Sequence, residues 1–344
     1  MRNEEGAWGD HPVRPISVNP GHYSRLMTIV VTGGAGFIGS NLCRTLLARG
    51  HAVTVVDDLS TGFVHNIEGL DLTFIEGSML DPAITDAAFA GADSIVHLGA
   101  RGSVPKSVAD PLESHLRNAT GTIEVLEAAR RAGNVHTVVA SSSSVYGANP
   151  ELPKHEWMAT QPISPYAASK LATEWYALAY RHSYQLPALA FRFFNVYGPR
   201  QPEAHAYAAV MPAFIAAALR GEALPVHGDG NQSRDFTYVD TVCETIAKSC
   251  ENKLSHGVPV NLAFGTQISL LETIHHLEAI VNHPLERVHS GARVGDVRHT
   301  MASHDLLDSL IPGIEPIEFR EGLTTTVNWW RDQGFAAVPT AANE

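Results

Sequence analysis

The apolar run at 27–32 (MTIVVT) leads directly into Gly33-Gly-Ala-Gly36-Phe-Ile-Gly39, and a helix-like pattern follows at once. The spacing satisfies GxxGxxG (33, 36, 39) and GxGxxG (34, 36, 39) together. Glycines let the backbone turn tightly and pass close to a pyrophosphate, while the helix start offers unpaired N–H groups and a positive dipole end. A second strand-like run ends in Asp57, 18 residues beyond Gly39. A carboxylate at that place grips the ribose hydroxyls of an adenosine. It would repel a 2′-phosphate, so the residues favour NAD over NADP. The alternative is a glycine-rich turn followed by an incidental Asp.

The rest of the chain extends this unit. Strands are predicted at 27–32, 52–57, 72–76, 94–98, 135–141 and 187–194, and helices near 37–49, 82–89, 112–132 and 165–184. Short β-branched strands alternating with helices predict an α/β fold, a doubly wound parallel sheet covered on both faces. Beyond residue 198 the pattern loosens, with helices expected near 207–219, 239–250, 269–283 and 321–332. Ser269-Leu-Leu-Glu272 has capping-box spacing, which supports a helix start there. The expected division is a loose leader at 1–26 and a mainly dinucleotide-binding domain at 27–198. A smaller substrate lobe at 199–332 and a frayed tail at 333–344 complete it, with the chain interleaving between the two lobes.

Charge and composition exclude several classes. A formal net charge of −12 over 344 residues, without a Lys/Arg cluster, argues against nucleic acid as a partner. No apolar run approaches the ~18 residues of a membrane span. The leader lacks an apolar signal core. Cys43, Cys243 and Cys250 make an odd set with no CxxC pair. That fits a reducing, cytoplasmic setting, with the thiols buried as small hydrophobes. Eighteen histidines invite a metal site, yet none forms HExxH or stands at ligand spacing from a cysteine. No metal is expected, and His182, His275 and His276 read as helix-surface residues.

Chemistry concentrates in Ser164-Pro-Tyr166-Ala-Ala-Ser-Lys170. Pro165 sets a helix start, and Tyr166 and Lys170 lie one turn apart on one face. A phenol, with a pKa of about 10, is a poor base near neutrality. A neighbouring ammonium and a bound nicotinamide cation would favour its phenolate, making Tyr166 a general base for a substrate hydroxyl. A surface helix pair is the bland reading of the same spacing. The upstream glycine turn and the serine-rich strand end, Ser141–Gly147 (SSSSVYG), weigh against it.

TGGAGFIGS, VVDDLSTG, Asn118-x-x-Gly-Thr, SSSSVYG, SPYAASK, RFFNVYGPRQ and GDGNQSRDFTYVDTV, in this order, resemble an extended short-chain dehydrogenase/reductase. Within that family they are most similar to the UDP-glucose (UDP-galactose) 4-epimerase group of the NAD-dependent epimerases and dehydratases, over about 27–332. The resemblance implies a Rossmann-type sheet and a tightly bound NAD regenerated at each turnover. It implies Tyr166 as base, Lys170 as its partner at the nicotinamide ribose, and Ser142 as the hydroxyl bonded to the sugar's 4-oxygen. Cofactor contacts are implied for Gly33, Gly36, Phe37, Ile38 and Gly39, and on the ribose side for Asp57, Asp58, Ser60 and Gly62. Met79, Leu98, Asn118 and Phe194 are further implied contacts. Ser78 stands where many relatives place an Asp against the adenine. On the sugar-nucleotide side the implied residues are Ser103, Ser142, Ser143, Asn195, Arg234, Arg293, Asp296 and Thr300. Asn195, the two arginines and Asp296 match the group that grips diphosphate and uridine ribose.

The same resemblance shows what the serines exclude. Related 4,6-dehydratases carry Asp-Glu directly after the catalytic Thr, and UDP-glucuronate decarboxylases keep a Glu two residues before the same Tyr. Here those positions are Ser143 and Ser144. Without these carboxylates the implied chemistry is reversible hydride transfer at C4 through a 4-keto sugar. Ser141 is expected only to finish the strand. Thr300 stands at a position that is either a bulky Tyr or a small residue in the group, so room for an N-acetyl substituent is expected. GSVPKS (102–107) and AYAAVMP (206–212) also resemble members acting on N-acetylated sugars. UDP-glucuronate 4-epimerase, another nucleotide-sugar oxidoreductase and a non-catalytic NAD-binding protein stay open as alternatives. Relatives imply a homodimer through the helices near 112–132 and 165–184; ordinary packing against the sheet is the other reading of those apolar faces.

Overall fold

The structure is a computed structural model that describes residues 26–203, 210–291 and 298–335. The first half alternates strand and helix as the periodicity predicts. Strand β1 (Thr28–Thr32) leads into helix α1 (Phe37–Ala48), β2 (Ala52–Asp57), β3 (Thr73–Glu76), α2 (Pro82–Phe89) and β4 (Ser94–His97). Two short helices follow, α3 (Val104–Ala109) and α4 (Pro111–His115). The helix expected at 112–132 is then interrupted by a wide π-type turn, Leu116–Thr120, before α5 (Gly121–Arg131). The extra residue of such a turn re-aims one side chain, and Asn118 lies inside it, buried. Strand β5 (His136–Ser142) precedes α6 (Pro165–Tyr184), β6 (Ala188–Phe193) and β7 (Asn195–Tyr197).

The later chain holds more strand than its sequence suggests. It runs α7 (Val210–Arg220), β8 (Leu224–His227), β9 (Ser233–Tyr238), α8 (Val239–Glu251), β10 (Val260–Leu262) and β11 (Gln267–Ser269). Then come α9 (Leu270–Val281), β12 (Arg287–Ser290), α10 (Asp305–Leu310) and α11 (Phe319–Asp332). These strands have three to six residues, too few for a period of two to declare itself. The capping box is present: Ser269 Oγ accepts from Glu272 N at 3.1 Å, and Ser269 N donates to the Glu272 carboxylate at 2.7 Å.

Among the described residues the main sheet has seven parallel strands in the order β10-β6-β5-β4-β1-β2-β3. Burial explains the apolar strands: β4 and β6 are buried at every position. Ile29 and Val31 pack with Leu42, Leu46, Val242 and Ile246, while Val30 packs on the opposite face with Phe89, Leu126 and Ala177. Helices α1 and α8 therefore cover one side and α2, α5 and α6 the other. A three-stranded sheet, β11-β9-β7, and a two-stranded one, β12-β8, lie outside this sheet, although β10 returns to it. The order reverses between β1 and β4, the place where a doubly wound sheet opens its ligand crevice.

Two histidines are built into this frame as neutral groups. His97 Nδ1 lies 2.8 Å from Thr32 Oγ1, and His136 spans from Ser94 Oγ (2.6 Å) to the Leu254 carbonyl (2.9 Å). Burial pushes His97 down to about 3, helped by the Lys170 charge, and His136 down to about 4. Each would take up a proton near 6.5 in the unfolded chain, so stability declines as pH falls below that value and keeps declining toward the folded pKa. For His136 the gap amounts to roughly 3 kcal/mol. Urea denaturation from about pH 7 to pH 4 should show this slope, and His136→Gln should flatten it.

Candidate active site

The glycine turn is built for close approach. Gly33 has φ +73°, and a Cβ there would fall 2.7 Å from Gly99 N. A Cβ at Gly39 would overlap the Gly33 carbonyl oxygen. At Gly36, in contrast, an added Cβ meets only that same oxygen, at 3.2 Å, and otherwise open space. Gly36 is also the N-cap of α1 and offers no side chain to its first turn. The N–H groups of Phe37 and Ile38 are thus available to an anion beside an open cradle, which fits a dinucleotide pyrophosphate.

Asp57 does more than await a ribose. Its Oδ2 accepts from Ala35 N in the glycine turn and its Oδ1 from Leu59 N, both at 2.9 Å. The carboxylate pins the turn to the end of β2, and burial raises its pKa against those two donors. Gly62 packs directly on it: a Cβ there would lie 2.9 Å from Asp57 Oδ2. Asp58 accepts from Ser60 N at 3.0 Å and forms an ion pair with Arg117. Ser78 Oγ accepts from Leu80 N at 3.2 Å, and the buried Met79 lies against Gly99 and Gly121. Leu98 continues from β4 through a 3.0 Å bond to the Thr32 carbonyl.

Tyr166 and Lys170 stand in the first turns of α6, whose start is fixed twice over. Ser164 Oγ accepts from Ala167 N at 3.1 Å, and Ser107 Oγ accepts from Tyr166 N at 3.0 Å. The Tyr166 side chain faces Ser142 at the end of β5, near enough for that hydroxyl to lower the phenol's pKa. Lys170 Nζ donates to the Ala140 carbonyl at 2.8 Å. The three predicted catalytic residues are therefore brought together. Their electrostatics depart from the expectation: burial raises the Tyr166 phenol, with Ser142 opposing it, and lowers Lys170 to about 8. The chain's own groups keep the phenol protonated at neutral pH, leaving its acidification to a cofactor's positive charge.

Ser141 does not simply end a strand. Its hydroxyl donates to Glu174 Oε2 at 2.8 Å and lies 3.2 Å from the Lys170 carbonyl. Glu174 is one turn beyond Lys170 and pairs with Arg192 of β6 through two bonds of 2.7 and 3.0 Å, both side chains buried. Ser141 and Arg192 are register partners across β5 and β6. Sequence reasoning missed Glu174 and Arg192, although both were visible: one as the next step of the 166–170 face, the other as a charge inside an apolar strand. Ser144 Oγ donates to Ser142 Oγ at 2.9 Å, so it supports that hydroxyl. Ser143 is part-buried beside it.

Asn118 gathers the third side. Its Oδ1 accepts from Arg101 N at 2.7 Å and its Nδ2 donates to Ser169 Oγ at 2.9 Å. Ser103 caps α3 by accepting from Lys106 N at 3.3 Å. Phe194 is buried against Tyr146, ring centres 6.3 Å apart. On the small sheet, Asn195 Nδ2 lies 3.5 Å from Thr300 Oγ1, which also accepts from Asp235 N at 3.2 Å. Arg234 Nη1 donates to the Ser233 carbonyl at 2.9 Å. Asn195 and Thr300 are thus brought together, with Arg234 on the same strand as Asp235, while Arg293 and Asp296 lie outside the described residues. Among the described residues no group of three or more His, Cys, Asp or Glu side chains could hold a metal.

This glycine cradle and Tyr–Lys pair on a doubly wound sheet define an NAD-dependent enzyme. The chain belongs to the NAD dependent epimerase/dehydratase family, whose model matches residues 29–263. It is 36% identical over 314 residues to the UDP-glucose 4-epimerase of Mycolicibacterium smegmatis, covering 89% of this chain and 99% of that one. Its fold is similar to that of a UDP-N-acetylglucosamine 4-epimerase from Methanobrevibacter ruminantium M1 in complex with UDP-N-acetylmuramic acid. There the TM-score is 0.85 at 35% identity, covering 90% of this chain and 99% of that one. The UDP-glucose 4-epimerase of Thermus thermophilus, in complex with NAD, matches at TM-score 0.80 and 33% identity, covering 89% and 99%. Relatives also include a dTDP-glucose 4,6-dehydratase and a UDP-N-acetyl-alpha-D-glucosaminuronate decarboxylase, so the family spans several nucleotide-sugar reactions.

The Glu174–Arg192 pair gives a stability test. Arg192→Met leaves a buried carboxylate uncompensated and should cost about 3–5 kcal/mol. Glu174→Leu combined with Arg192→Met removes both charges and should recover most of that loss in chemical denaturation.

Proposed function

We propose that the protein is an NAD-dependent UDP-hexose 4-epimerase. The observation that carries this reading is the cluster of Ser142, Tyr166 and Lys170 with hydroxyls at 143 and 144. Elimination or decarboxylation after oxidation at C4 asks for a further acid or base, and a serine near neutrality is neither. Tyr166 would exchange a proton with the sugar's 4-hydroxyl, and Ser142, which faces the phenol, would hold that oxygen. Lys170, softened to about 8 by burial, would sit close to the phenol in proton affinity once the cofactor's charge has lowered the latter. Bound NAD supplies a reversible hydride acceptor, so no outside reductant is consumed. Gly33–Gly39, Asp57, Asp58 and Asn118 would hold it.

Residues 199–332 would carry most of the sugar-nucleotide contacts, with Arg234 and Thr300 as their described part and Asn195 joining them from β7. Thr300 is small and its hydroxyl is turned to Asp235 N and Asn195, which favours acceptance of both plain and N-acetylated hexoses. Purified protein should convert UDP-galactose and UDP-N-acetylgalactosamine to their C4 epimers without added reductant. Tyr166→Phe should lower kcat by roughly 10²–10⁴. No epimer from either sugar, or a stoichiometric demand for NADPH, would overturn the reading.

The same reading includes a homodimer and a cytoplasmic setting. The three thiols are free and buried, and no described helix is long and apolar enough to cross a membrane. Val104, Val108, Leu112 and Leu116 repeat every four residues and stand exposed, Leu112 at 82%. Trp175 and Tyr176 on α6 are also exposed, at 57% and 40%. This stripe begins before the predicted 112–132 helix and leaves most of α5 out of it. A second copy would cover it as a helical bundle. Leu112→Glu with Trp175→Glu should convert a dimer to a monomer in sedimentation, whereas unchanged mass would exclude this face.

A further inference from the structure

We propose that Arg117 is a positioning residue that straps the cofactor crevice shut. Strand β1 lies between β4 and β2, and its carboxyl end carries the glycine turn. Arg117 lies in the wide turn before α5, which Asn118 ties to the loop leaving β4 by accepting from Arg101 N, whereas Asp58 follows β2. An ion pair joining them must pass across the end of β1, over a gap of two strand spacings, or about 10 Å. That is the opening through which a dinucleotide reaches the glycine cradle.

The side chains fit the task. The Arg117 guanidinium is paired with Asp58, donates from its Nε to Glu113 Oε1 at 2.7 Å as a second anchor, and lies 3.5 Å from Ser60 Oγ. Those partners hold the guanidinium above its ordinary pKa, and Ser60 with Arg117 holds the Asp58 carboxylate below its own despite burial. The neighbouring turn residue, Asn118, faces the opposite way, into Ser169 and the Arg101 backbone. The wide turn thus sends consecutive side chains to the two walls of one crevice. Arg117 also places a positive charge beside Asp58 and Glu113, offsetting two carboxylates at the rim of the crevice. Arg117 and Asp58 are about one-quarter exposed, and pairs of this kind contribute little to folding. Their opening is therefore a local event that governs passage of the cofactor.

The inference rests on the family's cofactor and not on the sugar, so failure of the epimerase assay would leave it standing. The test uses holoenzyme as purified, with exchange of bound NAD against labelled NAD as the readout. Arg117→Met should release NAD about tenfold faster, as expected for a lost charge-assisted contact, with thermal stability of the NAD-free protein unchanged. Raising salt should speed release from the wild type toward the variant's rate, because a part-exposed pair is screened. Asp58→Asn/Arg117→Met should release NAD no faster than the faster single variant, since both remove one interaction. An Arg117→Met release rate equal to wild type, or additive effects in the double variant, would overturn the proposal.

Discussion

One buried ion pair holds together the strand and helix that carry Ser142, Tyr166 and Lys170. Ser142 ends β5, while Tyr166 and Lys170 open α6, and the two elements are tied by the Lys170–Ala140 and Ser141–Lys170 bonds as well as by apolar contacts. Apolar contacts are non-directional and tolerate small slides, whereas hydrogen bonds demand alignment. Glu174 adds the strongest of these directional ties. It holds Arg192 of β6 through two bonds and accepts a third from Ser141, the residue before Ser142. Against well-packed apolar side chains a buried pair adds little net stability. What it fixes here is register, along the helix by one turn and across the sheet by one strand pair.

A protein of net charge −12 must bind an anionic cofactor with local devices. The first is backbone: the uncapped start of α1 presents N–H groups where no side chain competes. The second is a reuse of acid. Asp57 accepts from Ala35 and Leu59, which consumes part of its charge in shaping the glycine turn and leaves further lone pairs for hydroxyl groups. The raised pKa of Asp57 shows the cost of burying that carboxylate, and the two backbone donors partly offset it.

The sequence made the main sheet legible because its strands are buried on both faces and its helices are long. The boundaries of α2 and α6 agree residue for residue with the periodicity, since Asp81-Pro82 and Ser164-Pro165 punctuate their starts. The glycine turn, Tyr166 and Lys170 were legible for the same reason: each is a local pattern. What stayed hidden is long-range. Ser141 looked like a strand end until Glu174, 33 residues away, appeared as its partner. Asn118 sits in a π-type turn that no helix periodicity announces. The strands of the later chain, three to six residues long, are fixed by pairing with one another and with the main sheet, as Ser233–Tyr238 is by β7 and β11.

The electrostatics of the cluster add a constraint that motif reading does not supply. Burial acts on both partners of a proton-transfer pair, raising a phenol and lowering an ammonium, because each is penalised in its charged form. In the chain alone that places Tyr166 above its ordinary pKa and Lys170 at about 8. The Tyr166 phenol then stays protonated, unable to accept a proton, until a positive charge beside it lowers its pKa. In the proposed reaction the deprotonated phenol and the hydride acceptor would then become available together, because the same bound cofactor supplies both.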